Sequence, residues 1–556
     1  MQRHHPVSRI ATLLLLVLLA LIWFASLAPR HLAKTDEGRY GEIPREMQVS
    51  GDWVTPRLDG LKYFEKPPLQ YWATAAAFEV FGVGEWTTRL WTGLTGFLGV
   101  LMVATTARRL YGGAAGFYAA AVLASSMLYL LMAHVATLDM GVTFFMSAGL
   151  CAALIARHST SPAGARAWML GAWAALALAV LSKGLEGIVL PAAVLVIYLV
   201  TTRDVTLLRR LEPWRGALVF LAIAAPWFVL VSLRNPGFAH FFFIHEHFER
   251  FLTTSHHREG PWWYFLPILA VGLLPWIFIL PPALRLALEE THLPNQSAMG
   301  RFMPARLLVL WSGFIFVFFS VSSSKLPSYI LPIFPALALL LGAYLAQASA
   351  RVVGRLALAC ALFAAGLIAL GIEGLGLVVP IAEDSQPAYA AFGRALALAG
   401  AVWLAGAALA FVFARAERVR AAITLLAAAS ICAETAGLVG YDTLDRLASA
   451  QYVAVALEGL VNPTTPLYSV EMYEQTLPFY LGRTMTLVNQ RDELDLGLRE
   501  EPERGIPTLA AFATRWRAVP GGVAVMPPST FDKLQSMNLP MRVILKDHRF
   551  VVVSNP

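Results

Sequence analysis

Charge is what this sequence has least of. Asp, Glu, Lys and Arg make up 14% of its 556 residues, against roughly 25% in an ordinary soluble domain. A chain this poor in charge and this long cannot be a compact soluble enzyme. Cysteine is scarcer still: Cys151, Cys360 and Cys432 all lie inside apolar runs, so neither a disulfide framework nor a thiolate metal site is signalled. Basic tracts are missing too. The net charge is +7 and the isoelectric point near 9.3, yet no Lys/Arg run interleaved with aromatics occurs, which sets nucleic acid aside as a partner. No internal repeat or low-complexity tract stands out.

Apolar length is what the chain has in excess, with 57% hydrophobic residues and a mean hydropathy of +0.61. Runs long enough to cross about 30 Å of hydrocarbon as helix fall near 10–28, 86–107, 114–133, 140–156, 167–182, 185–201, 214–232, 262–282, 304–322, 326–347, 353–376, 393–415 and 420–440, thirteen in all. The pairs over 167–201 and 304–347 are separated by very short polar breaks, and miscounting either would invert everything after it. Arginine distribution supplies the orientation. With the N-terminus inside, each inner segment is basic, as at Arg108–Arg109, Arg157 and Arg166, Arg351 and Arg355, and Arg415, Arg418 and Arg420. This is the pattern the positive-inside rule demands. The first run follows Arg3, His4, His5 and Arg9 and ends in Ser26-Leu27-Ala28. It looks like a secretory signal but is longer than the usual apolar core, so a retained anchor is expected.

The fold class expected is therefore an all-α polytopic membrane protein of about thirteen transmembrane helices. Residues 1–440 form its membrane domain, with outer loops at 29–85 and 233–261. From about 441 the composition turns soluble. Pro466-Leu467-Tyr468-Ser469-Val470, Gly522-Val523-Ala524-Val525-Met526 and Arg549-Phe550-Val551-Val552-Val553 read as strands between turn-rich segments. Residues 441–556 are thus expected to be a small α/β domain on the outer side.

Polar chemistry gathers in the outer breaks. In the first, Asp36, Arg39 and Tyr40 at i, i+3 and i+4 share one face of a short helix at the membrane surface, and a carboxylate beside a guanidinium stays ionised. Taken alone, such a segment is more often a solvated surface helix. Tyr63-Phe64-Glu65-Lys66-Pro67-Pro68 puts Lys66 on a stiff extended turn, suited to a cation fixed for a phosphate, or else to a lysine snorkelling at a helix start. Asp139 begins the fourth run, where an N-cap is the plain reading. Lys183 and Glu186 between two runs are costly near lipid unless paired or functional. In the fourth outer loop His240, His245, His247, His256 and His257 cluster, with Arg250 suited to clamp a phosphate bidentately. Glu65 and His245 could together hold a divalent metal such as zinc, but no fixed ligand spacing is matched and no cofactor is required. Headgroup-facing histidines are the commoner case. Lys325, with Ser322–Ser324 and Tyr329, adds a cation at the fifth break. Five outer breaks bring charge to one face, which points to one site for an anionic, lipid-borne substrate.

Asp36-Glu37-Gly38-Arg39-Tyr40, Ile43-Pro44-Arg45-Glu46-Met47, the Glu65-Lys66-Pro67-Pro68 turn, Ser182-Lys183-Gly184, Ala225-Pro226-Trp227 and Ser324-Lys325-Leu326-Pro327-Ser328-Tyr329 together resemble the bacterial glycosyltransferases of the GT-C class. More closely, they resemble the lipid A aminoarabinose transferases, relatives of the protein O-mannosyltransferases. The resemblance implies a monomeric inner-membrane enzyme that takes 4-amino-4-deoxy-L-arabinose from undecaprenyl phosphate and places it on a lipid A phosphate at the periplasmic face. It implies Asp36 and Asp139 as the essential acids, with Arg39 and Tyr40 beside them. Lys66 would sit at the donor phosphate, with Arg250, Tyr63, Lys183, Lys325 and Tyr329 as further substrate-binding residues. A protein O-mannosyltransferase and a non-catalytic transporter of lipid-linked sugar are the alternatives. The latter usually carries its ionisable groups near mid-membrane, whereas here they lie at the outer edge.

Overall fold

The computed structural model describes residues 9–203, 210–244, 260–289, 302–378, 385–490 and 492–556. Among them, nine helices are long and apolar enough to cross a membrane. Two further helix pairs pass the same test together but bend at a short break, and two shorter apolar helices, Leu13–Ala25 and Glu186–Thr202, complete the set. Each of the thirteen apolar runs thus finds a helix or a bent pair. The chain is a multi-pass membrane protein.

Two compact units divide it. The first comprises residues 1–29, 89–226 and 247–441, and the regular structure among its described residues is helical. Small residues let its helices approach closely. On Gln386–Arg415 a Cβ at Gly406 would stand 2.2 Å from the Cβ of Ala429 on Val419–Gly440. The first helix, Arg9–Ala25, is fastened near its end: Trp23 Nε1 donates to the Gly93 carbonyl at 2.9 Å, and Ser26 Oγ lies 2.9 Å from His134 Nε2.

The second unit gathers residues 30–88, 227–246 and 442–556, so the first outer loop folds with the tail. Its loop part opens with helix Asp36–Ser50. Asp36 and Glu37 occupy the first turn, where the helix dipole favours anions, and Gly51 at φ 70° closes it in the left-handed conformation, its N–H bonded to the Met47 carbonyl. The hairpin of β1 (Arg57–Leu58) and β2 (Leu61–Lys62) turns on Asp59-Gly60, both at positive φ, the pair that two-residue hairpin turns favour. Helix Leu69–Phe81 follows.

The tail carries a six-stranded sheet. In chain order its strands are β3 (Leu467–Val470), β4 (Thr486–Val488), β5 (Gly505–Ile506), β6 (Val523–Met526), β7 (Arg542–Lys546) and β8 (Val551–Ser554), arranged β5-β4-β3-β6-β8-β7. The first four are parallel, with helices in the crossovers; β8 runs antiparallel to β6 and pairs with β7 in a hairpin. Parallel strands must be covered on both faces, and β3 and β6 are buried at every residue. Phe512, Trp516 and Phe531 cover one face and Leu457, Leu477 and Phe550 the other. At the open edge β7 is largely exposed and bears Arg542 and Lys546, charges that discourage edge pairing.

Candidate active site

In the second unit the site is built on helix Asp36–Ser50. A helix this polar reads as solvated, yet residues 37–47 are buried without exception. Burial is tolerated because nearly every charge on it is matched. Arg30 grips Glu37 through both terminal nitrogens, at 2.8 and 3.3 Å. Arg45 grips Glu42 at 2.6 Å twice and donates to the Gly482 carbonyl at 3.0 Å. The expectation of a solvated surface helix is therefore corrected: ion pairs and the tail cover it.

Asp36, Arg39 and Tyr40 stand as their spacing requires. Arg39 Nη1 donates to Asp36 Oδ1 at 3.1 Å, and its guanidinium carbon lies 5.8 Å and 5.9 Å from the ring centres of Tyr40 and Tyr63. Its Nη2 goes to Glu493 of the tail, whose other oxygen accepts from Gln475 Nε2 at 2.6 Å. Asp36 stays partly exposed while Arg39, Tyr40 and Tyr63 are buried. Burial pushes both phenols far above their ordinary range, so they remain protonated donors. The Tyr63 hydroxyl is buried without a hydrogen-bond partner among the described residues, an orphan donor a ligand oxygen could satisfy. Glu65 and Lys66 follow at once, half-buried, ahead of the buried Pro67 and Pro68.

A second acidic group lies behind Arg45. Glu46 accepts from the Gly60 N–H at 2.9 Å and Asp59 from the Met485 N–H at 2.6 Å, and each keeps one buried oxygen without a hydrogen-bond partner among the described residues. Desolvation lifts both carboxyls well above their ordinary values, and each is lifted further by the neighbouring Glu42. The motif reading passed over this group.

The first unit holds the other expected residues. Asp139 lies in the first turn of helix Leu138–His158, whose N-cap is Thr137, so the N-cap expectation for Asp139 is corrected by two residues. Its carboxylate instead meets Lys183 Nζ at 2.6 Å, at the end of helix Pro162–Lys183. Lys183 also reaches Glu186 at 3.1 Å and lies 4.8 Å from the centre of the Tyr329 ring. Asp139, Lys183, Glu186 and Tyr329 thus come from three separate stretches of chain. Gly184 at φ 108° makes the turn after Lys183. Lys325 is buried and spends its ammonium on its own loop, donating to the Ser320 carbonyl at 3.1 Å and to the Ser322 carbonyl, two orphan acceptors near the end of helix Pro304–Val321. His245 and Arg250 lie outside the described residues, so neither the Glu65–His245 pairing nor the Arg250 clamp has a structural description. Among the described residues no three His, Cys, Asp or Glu side chains are grouped as metal ligands.

Glu493 and Gln475 carried no sequence signal, since both sit in a soluble tail hundreds of residues from Arg39. Asp59-Gly60 did carry one, as a hairpin dipeptide between two apolar positions.

Comparison with known proteins gives a concordant set of matches. Residues 453–555 match the family described as aminoarabinose transferase C-terminal domain, and residues 8–242 match dolichyl-phosphate-mannose-protein mannosyltransferase. The chain is 33% identical over 531 residues to the undecaprenyl phosphate-alpha-4-amino-4-deoxy-L-arabinose arabinosyl transferase of Pseudomonas paraeruginosa, covering 92% of each. To the protein of that name from Edwardsiella ictaluri it is 34% identical over 331 residues, 59% of this chain and 58% of that one. Among solved structures, ArnT from Cupriavidus metallidurans superimposes over 99% of both chains at 40% identity. The TM-score is 0.91 for its apo state and 0.92 for its crystal form bound to undecaprenyl phosphate.

Proposed function

The chain belongs to the undecaprenyl phosphate-4-amino-4-deoxy-L-arabinose arabinosyl transferases, and from that membership we propose that it transfers the aminosugar from undecaprenyl phosphate to a phosphate of lipid A. The reaction would take place at the periplasmic face of a bacterial inner membrane. The observation that carries the proposal is the end-to-end likeness, at 40% identity, to a transferase crystallised with undecaprenyl phosphate. The arginine-rich inner segments support the orientation.

The side chains suit this chemistry. Breaking the bond between the anomeric carbon and the donor phosphate leaves negative charge on a polyprenyl phosphate, and a lysine on a stiff turn, Lys66, is suited to stabilise it. The acceptor phosphate is already an anion and needs little deprotonation. Asp36, bonded to Arg39, therefore serves better to orient the acceptor or to balance positive charge growing on the sugar ring than as a strong base. Tyr63 offers its orphan hydroxyl to a substrate oxygen. By the resemblance, Asp139, bound to Lys183, is proposed as a second acid that the transfer requires. Tyr329 and Arg250 are proposed by the resemblance to bind substrate, whereas Lys325, also proposed so, spends its ammonium on the Ser320 and Ser322 carbonyls. The product carries an amino group where lipid A had an exposed phosphate, which lowers the negative charge that attracts cationic peptides.

The test is transfer by purified protein in detergent. Incubation with undecaprenyl phosphate-aminoarabinose and lipid A should add one aminopentose to lipid A by mass spectrometry, and Asp36→Asn should lower the rate about 100-fold or more without loss of folded protein. Transfer to a hydroxyl-bearing peptide, with lipid A untouched, would sink the reading in favour of a protein glycosyltransferase.

A further inference from the structure

Arg39 is one cation between two carboxylates, and the two differ in a way that matters. The Asp36 side chain is 40% exposed, whereas those of Arg39 and Glu493 are 9% and 13% exposed. The outward acid comes from the loop and the hidden one from the tail. Glu493 is itself pinned, one oxygen on Arg39 Nη2 and the other on Gln475 Nε2 at 2.6 Å. The Gln475 segment cannot drift, because it lies against the backbone of the site helix. A Cβ at Gly38 would stand 2.5 Å from the Gln475 carbonyl carbon, so only glycine permits that approach.

We propose that Glu493, held by Gln475, is a positioning residue for Asp36: it occupies Nη2 of the Arg39 guanidinium and leaves Nη1 to Asp36. The inference rests on the reading that Asp36 works in the transfer. A guanidinium fork matches a carboxylate through two parallel bonds when it can. With Glu493 removed, Arg39 is free to turn both nitrogens on Asp36, draw its carboxylate in and neutralise it more fully. The i, i+3 spacing of Asp36 and Arg39 on one helix allows a bidentate grip, as Glu42 and Arg45 show at the same spacing nearly two turns further on. Glu493 thereby keeps Asp36 outward and its negative charge only partly compensated.

The other titratable groups facing these three side chains include Tyr40, Tyr63, Glu65 and Tyr71 of the loop and Tyr473 and Asp492 of the tail. Burial raises the proton affinity of Glu493, with Arg39 opposing. As pH falls, Glu493 is therefore protonated early and its hold on Arg39 weakens, which contributes to the acid limb of the rate profile.

The experiment uses the full-length protein in detergent with donor and lipid A. Glu493→Gln should lower kcat about tenfold, leave the KM for donor within about twofold, and move the acid limb of the kcat profile to lower pH, while the unfolding midpoint stays close to that of the parent. Glu493→Asp should restore part of kcat. In an Asp36→Asn background, Glu493→Gln should cost nothing further, because coupled residues are not additive. Gln475→Ala, which loosens the anchor without touching charge, should move kcat in the same direction by less. The inference is overturned if Glu493→Gln keeps the parental kcat and acid limb, or if it slows the Asp36→Asn protein as much as it slows the parent. Full activity in Asp36→Asn alone, a variant with Glu493 intact, strikes instead at the reading of Asp36 and is told apart by that.

Discussion

Lys183 bears more than its position at a helix end suggests. Two carboxylates, Asp139 at 2.6 Å and Glu186 at 3.1 Å, share its ammonium, and the side chains of Asp139 and Lys183 are only 10% and 13% exposed. Removing one partner of a buried pair strands the other, at a cost of about 3–5 kcal/mol. Lys183→Met should therefore lower the unfolding midpoint in detergent and abolish turnover together. Adding Asp139→Asn to that variant should recover a good part of the stability, since the stranded charge is gone, and none of the activity. Thermal unfolding by intrinsic fluorescence with a parallel rate measurement separates the two; an unchanged midpoint in Lys183→Met would refute the pairing. That Lys183 and Glu186 need a reason to sit near lipid is legible in the sequence from the cost of charge there. The partner Asp139, 44 residues away, is not, because only the antiparallel packing of two helices brings them together. The same limit hid Glu493 from Arg39.

Helix Asp36–Ser50 shows where reading by pattern succeeds and where it misleads. Its start and stop are written in Asp36-Glu37 and Gly51, and the i, i+3 pairing of Asp36 with Arg39 follows from helical geometry. Its burial is not written there, because no apolar stripe announces it; charges are covered by other charges from distant segments. The coverage is incomplete at Glu46 and Asp59, and this has a consequence for pH. Both carboxyls are raised in the folded protein, so between the ordinary carboxylate range, near 4, and their raised values the native state holds protons that the unfolded chain releases. Where the native state binds more protons, stability falls as pH rises. The protein should thus be more stable at pH 5.5 than at pH 8, and Glu46→Gln, which carries no proton to lose, should flatten that dependence. Unfolding midpoints of the two proteins across this interval decide it, and parallel curves would show that Glu46 contributes nothing to the slope.

At the scale of the whole molecule, the second unit imposes a rule of parity on the membrane crossings. His31 with Asp442 at 3.1 Å, Leu32 N–H with the Tyr480 hydroxyl at 2.7 Å and Asp59 with the Met485 N–H bind the first outer loop to the tail. Trp227 Nε1 on the Val54 carbonyl at 3.0 Å and Asn235 on Thr55 at 3.1 Å bind the end of the seventh run and the residue just beyond its helix to the same loop. All three stretches must therefore lie on one side of the membrane, and an even number of crossings must separate each from the next. Among the described residues, the candidates from the loop to Asn235 are Glu85–Tyr111, the bent pair Gly113–Ala124 with Met127–Ala133, Leu138–His158, Pro162–Lys183, Glu186–Thr202 and Pro213–Arg234, which is six. From there to the tail they are the bent pair Phe265–Gly272 with Trp276–Glu289, Pro304–Val321, Pro327–Leu345, Ala350–Glu373, Gln386–Arg415 and Val419–Ala448, six again. Both counts are even only if each bent pair, at 66° and 102°, crosses rather than turns back, and only if 167–201 and 304–347 each hold two spans. Hydropathy alone sees the runs and not the bends, so it could not decide this; the contacts within one folded unit can. In a cysteine-free background, Val49→Cys on the loop and Glu503→Cys on the tail, both exposed, should react with a membrane-impermeant maleimide in intact spheroplasts. Thr160→Cys, also exposed and between Arg157 and Arg166, should react only after lysis. Labelling of Val49→Cys and Glu503→Cys from opposite sides would break the parity, and labelling of all three from outside would break the orientation that the arginines assign.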